Sequence, residues 1–321
     1  MINYQSISNK NIKDATPSLQ VPFKWAGGKR RMFKKYQLRG FFPNDTPEVF
    51  VDMFAGSACV SYWVAKNYPS TRIVINEACS ELVNLYRQIS GKHYHFFEPE
   101  YLKHVKAYAQ YSTVPDRKKY YYKIRNDYAL NYKNKSDLEL AASLLFLLQT
   151  GFNGIWQTSS NFNWRYASPA GVMTWKPNGK LFDLNKIKNY SEFITNCTVV
   201  SGDFRQLSTF SSDKTWFYAD PPYRNSFAKY NSAGEFIEKD HFDLNNFLID
   251  RHNEGALCAL SNREDTINNF IPDPNKISQG WFADKFDDDW NCSYFTNIRY
   301  TAGRSNQNIG SRGTEVLIKN Y

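Results

Sequence analysis

Apolar residues along this 321-residue chain fall into short, separated runs. Glu48-Val49-Phe50-Val51-Asp52-Met53-Phe54 is one of them, β-branched and aromatic without polar alternation, which predicts a strand buried on both faces. It breaks at Ala55-Gly56-Ser57, and a helix-like stretch from Ala58 to Asn67 follows. Pro69-Ser70 turns the chain into a second run, Arg72-Ile73-Val74-Ile75-Asn76, closed by Glu77. An amphipathic helix then spans Ser80 to Ile89. Strand, glycine turn, helix, strand, acid, helix is a βαβα unit, and it predicts a parallel sheet.

From about Gly91 the texture changes. Tyr, Lys and Asn dominate up to Asp137 with helical spacing and no strand signal, and Glu139 to Gln149 reads as a strongly apolar helix. The stretch Thr150 to Trp156 and the polar, aromatic segment through Tyr166 read as a loop or hairpin at the tip of a helical insertion. Sheet signals resume at Cys197 to Ser201 and at Thr215 to Ala219, each ending in an acid-bearing turn, at Asp203 and Asp220. A helix from Lys239 to His252, a strand from Leu257 to Ser261 and a terminal strand from Glu315 to Tyr321 complete the pattern. At the other end, residues 1–20 are polar and aperiodic and predict a flexible tail. Order is expected from Val21, through the turn Ala26 to Arg30, into a short basic helix from Arg31 to Arg39. A Gly-, Ser-, Asn- and Arg-rich stretch at 303–313 predicts a mobile loop. The resulting division is a sheet-bearing domain of residues 21–90 and 183–321 interrupted by an insertion at 91–182.

Composition narrows the class. Lys and Arg number 40 against 31 Asp and Glu, a formal charge of +9, and such a balance suits a polyanionic partner. The five cysteines are widely spread without a CxxC pair, which reads as reduced thiols in a cytoplasmic protein and excludes a disulfide scaffold. His93 and His95 lie beside no cysteine or acidic cluster, so no metal site is expected. No apolar run approaches a membrane span or a signal peptide.

The chemistry concentrates at Asp220-Pro221-Pro222-Tyr223, beyond the carboxyl end of a buried strand, where open α/β sheets bind ligands. An exocyclic amine on a nucleobase is a poor nucleophile because its lone pair is delocalised into the ring. Two acceptors aimed at its N–H groups, the Asp220 carboxylate and the Pro221 carbonyl, would draw the nitrogen towards tetrahedral geometry. The prolines stiffen the loop, and the Tyr223 ring can stack on an extruded base. A second constellation lies upstream. Gly56, in the first strand-to-helix turn, permits close backbone approach by a ligand, and Glu77 can accept hydrogen bonds from two ribose hydroxyls. A nicotinamide enzyme would need a phosphate-cradling GxGxxG here, and the turn lacks it.

Taken in order, these segments resemble the alpha-class, Dam-like DNA adenine-N6 methyltransferases. Phe23-Lys24-Trp25-Ala26-Gly27-Gly28-Lys29-Arg30 is similar to their N-terminal motif, Phe54-Ala55-Gly56-Ser57-Ala58 to their FxGxG cofactor motif, and Asp220 to Tyr223 to their catalytic tetrapeptide. Phe152-Asn153-Gly154 resembles the start of their recognition hairpin, Ser201-Gly202-Asp203-Phe204 the turn at the cofactor adenine, and Leu260-Ser261-Asn262 the strand after catalysis.

The resemblance implies a Rossmann-like methyltransferase fold with an inserted, mainly helical DNA-recognition domain. It implies S-adenosylmethionine as cofactor and transfer to adenine N6 in double-stranded DNA by base flipping. Trp25, Lys29, Gly56, Glu77 and Asp220 would contact the cofactor, Asp203 and Phe204 its adenine, and Asp52 and Phe54 its methionine side. Lys24, Phe152, Asn153, Trp156, Gln157 and Arg165 would face DNA, and the chain would act as a monomer with or without a restriction endonuclease partner. Two departures stand out. Ala58 replaces the second glycine of FxGxG. Gln157 occupies the position where members that read GATC carry Arg; Gln prefers adenine in that geometry, so GATC is not carried over, and Arg165 is an alternative guanine reader. Cytosine-N4 transfer uses the same tetrapeptide chemistry and stands as the nearest rival, ahead of an inactive DNA-binding relative.

Overall fold

The computed structural model describes residues 20–91, 93–171, 182–224, 235–264, 281–299 and 312–321. The predicted tail at 1–20 and the predicted loop at 303–313 lie outside the described residues, apart from Gln20 and residues 312–313.

Seven strands form one sheet in the order β3-β2-β1-β4-β5-β7-β6. They are β1 (Val49–Asp52), β2 (Arg72–Glu77), β3 (Thr198–Ser201), β4 (Thr215–Ala219), β5 (Leu257–Arg263), β6 (Asn291–Arg299) and β7 (Arg312–Lys319). β1 pairs in parallel with β2 and β4, β2 with β3, and β4 with β5, while β7 runs antiparallel to both β5 and β6. The predicted parallel sheet is therefore present, and the antiparallel β7 makes it a mixed, mostly parallel one. β4 is buried along its whole length and β1 along all but its first residue, as strands with helices on both faces require.

The helices are α1 (Phe33–Leu38), α2 (Cys59–Asn67), α3 (Ser80–Ile89), α4 (Tyr94–Ala109), α5 (Val114–Leu130), α6 (Asp137–Thr150), α7 (Leu184–Thr195) and α8 (Glu238–Asn253). One core holds side chains of α1, α2, α3 and α7, among them Tyr36, Trp63, Leu82 and Tyr190, against Trp216 and Tyr218 of the sheet. A second core on the opposite face joins Leu244, Phe247 and Leu248 of α8 to Phe217, Cys258 and Ile318. Two helical layers thus sandwich the sheet.

Between β2 and β3 the chain leaves the sheet for α4, α5 and α6. Ser136 starts α6 with a capping box: its Oγ accepts from Glu139 N at 3.3 Å, and Glu139 Oε2 accepts from Ser136 N at 2.9 Å. Every residue from Leu140 to Thr150 is buried, the signature of a helix enclosed on all sides. α6 packs against α3, α4 and α5, so the helical region is fastened to the sheet through α3. Beyond α6, antiparallel bridges Gly151 to Ala170 and Thr158 to Tyr166 close a hairpin, the form expected at the tip of this region.

The topological switch lies between β1 and β4, where neighbouring connections run to opposite sides. There Asp52 and Asp220 emerge side by side, flanked by Glu77 at the end of β2. Because β7 is antiparallel, its beginning reaches this same edge.

Candidate active site

Lys29 is the hub of the site. Trp25 to Gly28 turn the chain, with Gly28 N donating to Trp25 O at 3.2 Å, and a single 3-10 turn, Lys29–Arg31, then directs the lysine inward. Only 2% exposed, its Nζ lies 2.6 Å from Asp220 Oδ1, 3.2 Å from Glu315 Oε1 and 3.2 Å from Tyr223 OH. Burial pulls the ammonium's pKa down, but Asp220 and Glu315 outweigh it and hold it well above lysine's ordinary value. Lys29 is thus a permanent cation. For Asp220 burial dominates: against the pull of Lys29, and aided by Glu315, it lifts the carboxyl to about 6.

The remaining acceptor of the tetrapeptide is held from behind. Asn262, fully buried on β5, donates through Nδ2 to the Pro221 carbonyl at 3.1 Å. A carbonyl has two lone pairs, so this bond orients the group and leaves one acceptor site. Ser261 bonds the Asp220 carboxylate and also lies 2.6 Å from Tyr218 OH. Tyr223 is raised well above an ordinary phenol, chiefly by burial, and keeps its proton.

Along the same edge, Glu77 Oε2 accepts from Gly56 N at 3.1 Å and Oε1 from Cys79 N at 2.9 Å. With the backbone of Ala78 also bonding this carboxylate, Glu77 is fixed at the end of β2 as an acceptor facing the site. Gly56 has φ +54°, and a Cβ there would collide with the Trp25 indole; only glycine admits this approach. Asp52 is 1% exposed; Oδ2 accepts from Ser61 Oγ at 2.5 Å, while Oδ1 is buried with no hydrogen-bond partner among the described residues. Burial first, opposed by the Ser61 bond, lifts this carboxyl to about 7. An orphaned buried acceptor beside further acids fits a ligand bearing positive charge and N–H donors. Phe204 is buried, its ring 5.7 Å from that of half-buried Phe54. Asp203 is exposed at the rim, capping the 3-10 helix Phe204–Phe210 and pairing with Arg205 at 2.7 Å.

The hairpin rests directly on this site. Ala26 N donates to Gly154 O at 2.9 Å, and a Cβ on Gly154, whose φ is +70°, would fall 2.7 Å from the Lys24 and Trp25 backbone. Lys24, Asn153 and Gln157 are exposed and Phe152 is half-buried. Two other residues expected to face DNA are placed differently. Trp156 is 2% exposed, wedged between the rings of Trp25 at 5.8 Å and Tyr166 at 5.0 Å, so it offers no surface to DNA and forms a wall of the site. Arg165 lies over the Tyr132 ring at 3.8 Å, with NH1 3.7 Å from buried Glu81, and ties the hairpin to α3 instead of projecting from it.

Residues 25–282 match the model of the D12 class N6 adenine-specific DNA methyltransferases. The chain belongs to this family. Among its relatives are the type II methyltransferase M.MjaIII of Methanocaldococcus jannaschii, 26% identical over 251 residues covering 75% of this chain and 83% of that protein. The type II methyltransferase M1.LlaDCHI of Lactococcus lactis subsp. cremoris is 26% identical over 313 residues, 94% and 95% of the two chains. The retron Ec67 DNA adenine methylase of Escherichia coli is 26% identical over 247 residues, 76% and 77% of the two chains. A methyl donor and a DNA substrate follow from membership of the D12 class, as does the Rossmann-like reading of the sheet.

The D12 site contains groups that reading along the chain did not single out. Glu315 reaches Lys29, and Tyr36 the Glu315 carboxylate, only because β7 and α1 pack beside the site. Asn262 was visible within the Leu260-Ser261-Asn262 segment, but its bond to Pro221 depends on how β5 sits beside β4. Among the described residues, no three His, Cys, Asp or Glu side chains converge as metal ligands, and no helix is long and apolar enough to cross a membrane.

Proposed function

We propose that this D12 protein methylates adenine N6 at a specific sequence in double-stranded DNA, using S-adenosylmethionine, on a base swung out of the helix. The observation that carries the reading is the Asp220 carboxyl, held 2.6 Å from Lys29 beside the Pro221 carbonyl that Asn262 orients. S-adenosylmethionine, when bound, supplies an electrophilic methyl group on a sulfonium. Glu77, Gly56 and Trp25 would hold its nucleoside end and Asp52 its amino group, with Phe54, Asp203 and Phe204 along the adenine and methionine sides. Asp220 and Pro221 accept the two N–H bonds of the target amine and fix its lone pair out of the ring plane. At neutral pH the Asp220 carboxyl, with a pKa of about 6, is mainly ionised, ready to accept those bonds and to take the proton that N6 must lose. Pro222 stiffens the loop, and Tyr223 offers its ring to the base.

Residues 91–182 serve as the target-recognition domain in this reading, and 21–90 with 183–321 as the catalytic one. Lys24, Phe152, Asn153 and Gln157 meet the DNA. The protein works in the cytoplasm as a monomer, whether alone or beside a restriction endonuclease. Incubating unmethylated plasmid with the protein and S-adenosylmethionine, then mapping methylated positions by single-molecule sequencing, tests base and sequence together. N6-methyladenine within one short motif is expected; N4-methylcytosine or an unmodified plasmid would reject the proposal.

A further inference from the structure

Glu315 is a buried acid that the roles above leave unused. As part of antiparallel β7 it pairs in register with Arg263 of β5 and Phe295 of β6, which carries it to the carboxyl edge of the parallel strands. Its side chain is 1% exposed. Oε1 lies 3.2 Å from Lys29 Nζ and accepts from Tyr36 OH at 3.0 Å, while Oε2 accepts from Tyr223 OH at 3.4 Å. A carboxylate in such a place is poorly explained by stability. Buried ion pairs often do no better than apolar side chains of equal volume, because desolvation offsets their attraction. A second acid near Lys29 does have a chemical consequence. With one carboxylate as partner, the ammonium would neutralise Asp220 and weaken it as an acceptor. With two, the cation is shared.

We propose that Glu315 is a positioning residue for methyl transfer: it draws the Lys29 ammonium partly off Asp220, anchors the Tyr223 hydroxyl, and so keeps Asp220 a strong acceptor for the target amine. The proposal rests on the role assigned to Asp220 in the proposed function. The groups packed around Glu315 support it. Lys29, from the 3-10 turn, is the cation; Tyr36 of α1, Tyr223 of the catalytic loop and Tyr218 of β4 are phenols held protonated by burial; Asp220 is the other acid, and Arg263 is its neighbour in register on β5. Glu315 is among the influences that raise the Asp220 carboxyl. Removing its charge therefore acts twice in one direction, lifting a repulsion from Asp220 and returning the whole of Lys29 to it.

The test follows the titration of Asp220 directly, without relying on turnover. Protein labelled with 13C at the aspartate carboxyl carbon is titrated by NMR, with Asp220→Asn assigning the resonance. In Glu315→Gln the Asp220 midpoint is expected to fall by about one pH unit, the size of a single close charge. The acid limb of the pH profile for DNA methylation should fall with it, while kcat drops about tenfold at pH 8. An unmoved midpoint overturns the proposal. If Glu315→Gln does not fold, Glu315→Asp decides: its shorter reach returns part of Lys29 to Asp220, so the midpoint should fall by less than in Glu315→Gln and kcat with it, and a fallen kcat with an unmoved midpoint overturns the proposal. Should wild-type protein methylate no adenine while the midpoint still shifts in Glu315→Gln, the DNA reading fails and the positioning of Asp220 stands.

Discussion

The carboxyl edge of the sheet and the hairpin at 151–171 are joined by the hydrogen bond from Ala26 to Gly154, yet they are built in opposite ways. At the edge, charged groups are buried and matched to one another: Lys29 and Glu315 are 2% and 1% exposed, and Asp220, Tyr223 and Tyr36 complete a closed set. In the hairpin, Asn153, Gln157, Asn163 and Trp164 all stand exposed. Asn153, Asn163 and Trp164 also hold left-handed backbone conformations, with φ of +51°, +52° and +57°. Under the proposed function the difference follows from what each would do. Groups that act on developing charge gain from being fixed and dry beforehand, whereas groups that read a base edge must be presented at the surface. Strain held in a surface aromatic such as Trp164 costs on the order of 1 kcal/mol or more and persists where the surroundings over-determine it.

The largest effect should come from breaking the edge. Asp220→Ala removes an amine acceptor and leaves Lys29 with Glu315 alone; methyl transfer is expected to fall by roughly a thousandfold or more. DNA binding, measured by fluorescence anisotropy, should change little. Loss of DNA binding in parallel with activity would mean that the two regions are not separable.

Next in size is a stability effect confined to the edge. The Asp52 carboxyl sits at about 7, far above its ordinary value, because burial penalises its charge. Its folded pKa lies above its unfolded one, so its favourable contribution is full below about pH 4 and is lost as pH rises towards 7. Asp52→Asn should therefore flatten the decline of stability between pH 4 and 7. At pH 8 it should unfold in urea at higher concentration than wild type, with an upper bound of about 4 kcal/mol from the pKa difference. An unchanged pH slope would show that the Asp52 carboxyl ionises freely in the folded protein.

The hairpin should respond in specificity and affinity instead. Gln157→Ala is expected to relax selection at one base pair of the target, a loss of about 1–3 kcal/mol in discrimination visible in single-molecule sequencing. Trp164 is 52% exposed, and its replacement by Ala should raise the KM for DNA about tenfold, the worth of one stacking contact, and leave cofactor affinity alone. A fall in kcat with KM unchanged would place Trp164 with the edge and not with the reading surface.

What could be read from the chain divides along the same line. β1, β2 and β4 were legible because strands buried on both faces are written as unbroken apolar runs, and Asp52, Glu77 and Asp220 were legible because they stand where those runs stop. β6 was not, since Asn291-Cys292-Ser293-Tyr294 mixes polar and apolar positions on a half-buried edge strand. Glu315 begins a predicted strand, but its meeting with Lys29 follows from the antiparallel docking of β7, which no local pattern records. In the hairpin, the family resemblance implied DNA contact for Trp156 and Arg165 alike. Their placement was decided by Trp25, Tyr166, Tyr132 and Glu81, partners distant in the chain.

Strain gives the finest comparison, because one strained residue also lies at the edge. Ala58, in place of the glycine expected in the cofactor motif, precedes α2 with φ +53°, a left-handed conformation that an L-residue with a Cβ adopts only at a cost. Ala58→Gly removes that cost, of about 1 kcal/mol, and returns part of it through the greater freedom of glycine in the unfolded chain. A net gain of about 0.5 kcal/mol and a rise in melting temperature of about 1–2 °C are expected, read by calorimetry. The bonds that hold the Lys29 ammonium run to Gly27, Asp220, Tyr223 and Glu315 and not to Ala58, so kcat should hold. If kcat falls while stability rises, the edge uses its strain as the hairpin does, and the contrast between a relaxed catalytic edge and a strained reading surface no longer stands.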